Sequence, residues 1–131
     1  MAKIIHSMIR VLDLERSIHF YKDVLNMKVV KSLDFSDFSL VYLRNNEADF
    51  EIELTLNKGR VEPYSMGDGY GHIAIVVDNL EQKHEILEKM GYFPLPIKQF
   101  TDDGKLLAKF FFIQDPDGYK IEVLERHGHY K

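Results

Sequence analysis

Hydrophobic and polar residues alternate at the start of the chain. In Ile4-Ile5-His6-Ser7-Met8-Ile9-Arg10-Val11 a period of two puts His6, Met8 and Arg10 on one face and Ile5, Ile9 and Val11 on the other, as in a half-buried strand. The period then lengthens. Leu14, Ile18, Tyr21 and Leu25 recur at helical spacing, behind an Asp13 able to cap a helix by accepting backbone N–H bonds. Asn26 follows this stripe and tolerates the left-handed backbone with which helices end. Three extended segments come next, over about 28–33, 39–44 and 50–57, and the Asp, Ser and Asn residues between them suit hairpin turns.

After the polar link from Lys58 to Gly69 the pattern restarts. Gly71-His72-Ile73-Ala74-Ile75-Val76-Val77 alternates as the first strand does, Asn79 with Gln82 three residues on forms a capping-box signature, and Gly91 closes the helix between. His6 matches His72, Val11 matches Val77, Leu14 matches Leu80 and Glu15 matches Glu81, all at one offset. Ile52-Glu53-Leu54 matches Ile121-Glu122-Val123 at an offset only slightly longer. A nearly constant offset over such a length points to a duplicated βαβββ unit. The expected class is α+β, with modules of about 1–57 and 70–126 inside one domain spanning 1–131.

Composition narrows the chemistry. At 131 residues and 45% hydrophobic, the chain can bury one core of ordinary size. No apolar run reaches the roughly 18 residues a membrane span needs, and the N-terminus lacks a signal-like apolar region, so a soluble, cytoplasmic protein is expected. The formal charge of -4, without a basic block, speaks against nucleic acid as a partner. Cysteine is absent, which excludes disulfides, a thiolate nucleophile and zinc-finger sites; any metal must be held by His, Asp or Glu.

The repeat supplies such a set: His6 and His72 from one pair of strands, Glu53 and Glu122 from another. If the modules pack quasi-symmetrically, the four side chains converge as donors suited to Zn, Ni, Co, Fe or Mn, with coordination positions left for water or substrate. The opposing reading is plain. A lone strand His is more often a hydrogen-bonded residue than a ligand, and Glu51 on the face of Glu53 fits a merely wet sheet face. Arg10 projects on the His6 face and Asn57 on the Glu53 face, toward the same pocket; Arg10 suits either a rim salt bridge or a bidentate grip on a carboxylate. Asp115-Pro116-Asp117-Gly118 reads as a turn that sets the last strand in place. Phe110, Phe111 and Phe112 read as core and pocket wall, and His127-Gly128-His129 as a mobile terminus.

Four blocks carry a family resemblance: His6 to Tyr21, Ile52-Glu53-Leu54-Thr55-Leu56-Asn57, Gly69-Tyr70-Gly71-His72-Ile73-Ala74, and Phe112 to Glu122. Together they resemble glyoxalase I (lactoylglutathione lyase) of the vicinal oxygen chelate superfamily, in the family's order and over nearly the whole chain. The resemblance implies paired βαβββ modules making a curved eight-stranded sheet, usually completed across a homodimer. One divalent metal per site would be held by His6 and Glu53 of one subunit with His72 and Glu122 of the other. The compact chain is similar to the bacterial branch, which often uses nickel or cobalt rather than zinc. The implied reaction, part of methylglyoxal detoxification, isomerises the hemithioacetal of methylglyoxal and the co-substrate glutathione to S-lactoylglutathione. It proceeds by proton transfer through a metal-bound enediolate, with Glu122 as general base, Glu53 as its quasi-symmetric counterpart, and Arg10 and Asn57 binding glutathione. Departures from the pattern are a shorter 34–49 segment, Asn26 in place of a usual Gly, and no secure match, at Lys98 or Lys105, for a glutathione-contacting Lys. Rival functions on the same architecture are an epimerase expected to carry Gln at position 53, a thiol-modifying enzyme, and a metal-free drug-binding resistance protein.

Overall fold

The computed structural model describes residues 1–131. Its elements are β1 (His6–Arg10), α1 (Leu14–Leu25), β2 (Lys28–Asp34), β3 (Phe38–Arg44), β4 (Glu51–Asn57), β5 (Ile73–Val77), α2 (Leu80–Lys89), β6 (Lys98–Asp102), β7 (Lys105–Gln114) and β8 (Lys120–Glu125). The chain divides into two units, Met1–Ser65 and Met66–Lys131. Each holds one helix and one four-stranded sheet, ordered β1-β4-β3-β2 in the first and β5-β8-β7-β6 in the second. The βαβββ unit read from the sequence is therefore present twice, with its eight strands distributed as two sheets of four. In each unit the first and last strands pair in parallel, and the remaining pairs are antiparallel.

In the first unit the apolar sheet face is built from Ile9, Val41, Leu43, Ile52 and Leu54, all buried, with Val11 just beyond β1. Helix α1 packs over β2 and β3 of this sheet. Its buried side is Ser17, Phe20, Tyr21, Val24 and Leu25. The stripe expected from Leu14 and Ile18 is thus rotated: both are only half-buried, because Phe20 and Val24 take the inward positions between Ser17 and Leu25. Ile5 is likewise 58% exposed and lies just outside β1, which begins at His6. The helix ends behave as expected. Asp13 accepts the Arg16 N–H at 3.0 Å, and Asn26 sits at φ 54°, with the Met27 N–H returning to the Tyr21 carbonyl at 3.2 Å.

The second unit repeats the plan with Phe111, Ile113, Ile121 and Val123 beneath Leu80 and Leu87 of α2. Asn79 accepts the Gln82 N–H at 3.0 Å. Gly91 adopts φ 91°, and the N–H groups of Gly91 and Tyr92 close on the Glu88 and Leu87 carbonyls at 3.0 Å each, a complete Schellman stop. Two expectations need correction. His72 stands immediately before β5 rather than inside a strand. The C-terminal tail is tied down: His127 bridges to Tyr130 and its Nε2 meets the Leu106 carbonyl at 2.9 Å, while Arg126 donates to Asp78 at 2.8 Å. No helix is long and apolar enough to cross a membrane.

Candidate functional site

The register of β1 on β4 sets Met8 opposite Glu53 and His6 opposite Glu51, so the His6 side chain shares a sheet face with the Glu53 carboxylate. His6 Nε2 lies 2.9 Å from Glu53 Oε2. On the other side of β4, Tyr42 of β3 is the direct cross-strand partner of Glu53. Its phenol donates to Glu53 Oε1 at 3.2 Å, and its ring stands edge-on to His6, with centroids 5.7 Å apart and planes at 75°. Both carboxylate oxygens of Glu53, a residue only 9% exposed, are therefore engaged. Burial raises the Tyr42 phenol above its ordinary pKa, with the Glu53 hydrogen bond and charge adding to the shift, which keeps the hydroxyl a donor.

The second unit rebuilds this arrangement from equivalent positions. Ala74 is opposite Glu122 on β8, and Phe112 of β7 is the cross-strand partner of Glu122. His72 precedes Ala74 by two residues, as His6 precedes Met8, and its Nε2 reaches Glu122 Oε2 at 3.4 Å. Phe112 stands edge-on to His72 at 5.3 Å and 82°. A phenyl ring thus takes the place of the phenol, and it offers Glu122 no donor. The turn before β8 holds the strand in register. Gly118 takes φ 92°, and the buried Asp115 carboxylate accepts the N–H groups of Asp117 and Tyr119 at 2.9 Å each.

Within each unit the metal-capable side chains gather as a pair and not as a group of three. The spacing of each pair fits two ligands of one ion. Donors about 2.1 Å from a metal lie roughly 3.0 Å apart at a right angle and roughly 3.4 Å apart at a tetrahedral angle; the observed separations are 2.9 and 3.4 Å. Three other histidines have partners of their own: His19 with Asp23 at 3.2 Å, His84 with Glu88 at 2.8 Å, and His127 with the Leu106 carbonyl. Arg10 and Asn57 fall on the face of the first pair, as their strand positions require. Asn57 donates its side-chain amide to the Tyr64 hydroxyl at 3.1 Å, and the Arg60 guanidinium caps the Tyr64 ring at 4.3 Å. Neither Tyr42 nor Tyr64 stood out in the sequence. Laying Tyr42 over Phe112 in the repeat would have flagged the first, whereas nothing local marks the second.

Residues 3–123 match the Glyoxalase/Bleomycin resistance protein/Dioxygenase superfamily. The chain is 39% identical to a lactoylglutathione lyase of Salmonella typhimurium over 127 residues, covering 94% of this chain and 92% of that one. It is 38% identical to a lactoylglutathione lyase of Escherichia coli O157:H7 over 131 residues, covering 94% and 92%. Among solved structures, the trypanothione-dependent glyoxalase I of Leishmania major superposes with a TM-score of 0.75 at 36% identity, over 95% of this chain and 87% of that one.

Proposed function

This chain belongs to the Glyoxalase/Bleomycin resistance protein/Dioxygenase superfamily, and from that membership we propose that it is a glyoxalase I type lyase converting the methylglyoxal–glutathione hemithioacetal to S-lactoylglutathione. The observation that carries the reading is the twice-built His–Glu pair, at ligand spacing and in equivalent positions, in a chain so similar to lactoylglutathione lyases over nearly its full length. A pair is half of a four-ligand shell. We take His6 and Glu53 of one copy with His72 and Glu122 of a second copy to hold one divalent ion, nickel or cobalt before zinc, in a cytoplasmic homodimer whose residues 1–131 act as one functional domain. Similarity to relatives carrying the lyase name also favours this activity over an epimerase, a thiol-modifying enzyme or a metal-free binding protein.

When bound, the metal supplies Lewis acidity at the substrate oxygens and so lowers the barrier to breaking a weakly acidic C–H bond. The chain's own residues do the rest. Glu122, held by its contact with His72, takes the proton from the sulfur-bearing carbon and returns it to the neighbouring carbon, while the hydroxyl proton of the first carbon passes to the oxygen of the second, so the product has the atoms of the substrate. Glu53, its Oε1 tied by the Tyr42 phenol and its Oε2 facing His6 as the metal-binding oxygen, serves as the fixed partner. Arg10 grips a carboxylate of the thiol co-substrate, and Asn57, held by Tyr64, donates hydrogen bonds beside it. The test is thioester formation from methylglyoxal and glutathione by protein stripped with a chelator and reloaded with nickel, cobalt or zinc. Activity that vanishes on stripping and returns on loading supports the reading; no thioester with any of the three metals defeats it. The likeness to a trypanothione-dependent enzyme calls for the same assay with trypanothione, and turnover with that thiol alone would reassign the co-substrate.

A further inference from the structure

The two His–Glu pairs differ in one functional atom. In each, an imidazole and a carboxylate meet beside an edge-on aromatic ring carried by the cross-strand neighbour of the carboxylate. The ring is Tyr42 in the first half and Phe112 in the second, so a hydroxyl is present on one side and missing on the other. We propose that Tyr42 is a positioning residue that makes the two carboxylates unequal, fixing Glu53 as a permanent metal ligand and leaving Glu122 as the one free to move a proton. The role rests on the metal-dependent reading above and gives its two carboxylates separate tasks.

The geometry supports the division of labour. A carboxylate whose Oε1 accepts a phenol at 3.2 Å has lost the freedom to swing, and its Oε2 is presented to the side where His6 Nε2 stands at 2.9 Å. An outer hydrogen bond of this kind orients a ligand before the metal arrives, which lowers the ordering cost of binding; losing such a partner typically weakens metal affinity or activity by about 10- to 100-fold. On the other side the His72–Glu122 separation is longer, 3.4 Å, and Phe112 leaves Glu122 Oε1 without a phenolic donor. A carboxylate that must accept and release a proton gains from that looseness, because a bound donor would occupy the lone pair it needs.

Tyr42→Phe and Phe112→Tyr form the test, read first as nickel affinity by competition with a chelator and then as kcat and KM. Tyr42→Phe should weaken nickel binding about 10-fold or more while the metal-free protein melts at the wild-type temperature. Phe112→Tyr should hold or tighten nickel and lower kcat at unchanged KM, since the new phenol would tie up Glu122. Wild-type nickel affinity in Tyr42→Phe, or wild-type kcat in Phe112→Tyr, overturns the proposal. His6→Ala separates it from the reading beneath it. If wild type binds nickel, His6→Ala does not, and Tyr42→Phe binds like wild type, the metal centre stands and the role of Tyr42 falls; if wild type binds no nickel, both fall together.

Discussion

If Glu122 is the general base, as proposed, Glu122→Gln isolates the proton-transfer step from everything else the site does. Glutamine keeps the size and one carbonyl oxygen of the side chain, so the cross-strand fit against Ala74 and Phe112 is preserved and an acceptor remains for coordination. What is lost is the capacity to take up a proton. A positioned general base is worth about 10²- to 10⁴-fold, which at about 1.36 kcal/mol per decade adds roughly 2.7 to 5.4 kcal/mol to the barrier. The upper part of that range is expected, because the only quasi-equivalent carboxylate, Glu53, accepts the Tyr42 phenol at Oε1 and is poorly placed to substitute. The assay is steady-state kinetics on nickel-loaded protein with metal content measured on the same sample, so that a rate lost through an empty site is not mistaken for a lost base. A variant with full metal and a kcat at least about 100-fold lower, at similar KM, fits the assignment. Full metal with kcat within a few-fold of wild type refutes it, and a severe loss in Glu53→Gln instead would exchange the two roles.

Other expectations follow from particular contacts. His6→Ala and His72→Ala should each lose metal and turnover, yet mixing the two subunits should restore about a quarter of the wild-type sites, because half of the random dimers would contain one intact site; no recovery after verified subunit exchange would mean that each site is built within one chain. Asn26→Ala should cost about 1 kcal/mol, as alanine meets the steric penalty of the left-handed backbone at φ 54°, and Asn26→Gly should not; thermal unfolding reads the difference. Asp115→Ala removes the acceptor for the Asp117 and Tyr119 N–H groups and should destabilise by about 1–3 kcal/mol, with Asp115→Asn retaining most of the stability in the same melt.

The alternation of the strands and the caps of the helices were legible because each is a local property. Asp13, Asn26, Asn79 and Gly91 do at the helix ends what their side chains or lack of one permit, whatever the rest of the chain does. Faces were legible for the same reason: once β1 and β4 are strands, His6 and Glu53 have only two directions to point, and the parallel register brings them together. What escaped depends on neighbours. The inward side of α1 is decided by which side chains fill the space above β2 and β3, and Phe20 and Val24 outcompete Leu14 and Ile18 there. The tail was misread because its fixing contacts, Arg126 to Asp78 and His127 to the Leu106 carbonyl, come from residues far away in sequence. Tyr42 was missed because its value lies in a cross-strand pairing with Glu53, which the register of β3 on β4 sets and no spacing along the chain reveals.

We propose one metal shell supplied jointly by His6, Glu53, His72 and Glu122. X-ray absorption spectroscopy of the nickel-loaded protein addresses it directly, because imidazole rings scatter with a pattern distinct from carboxylate or water oxygens. A shell of nitrogen and oxygen donors with two imidazoles, falling to one or to an empty site in His72→Ala, is the predicted result. A shell whose imidazole count and occupancy stay the same in His6→Ala and His72→Ala would contradict it.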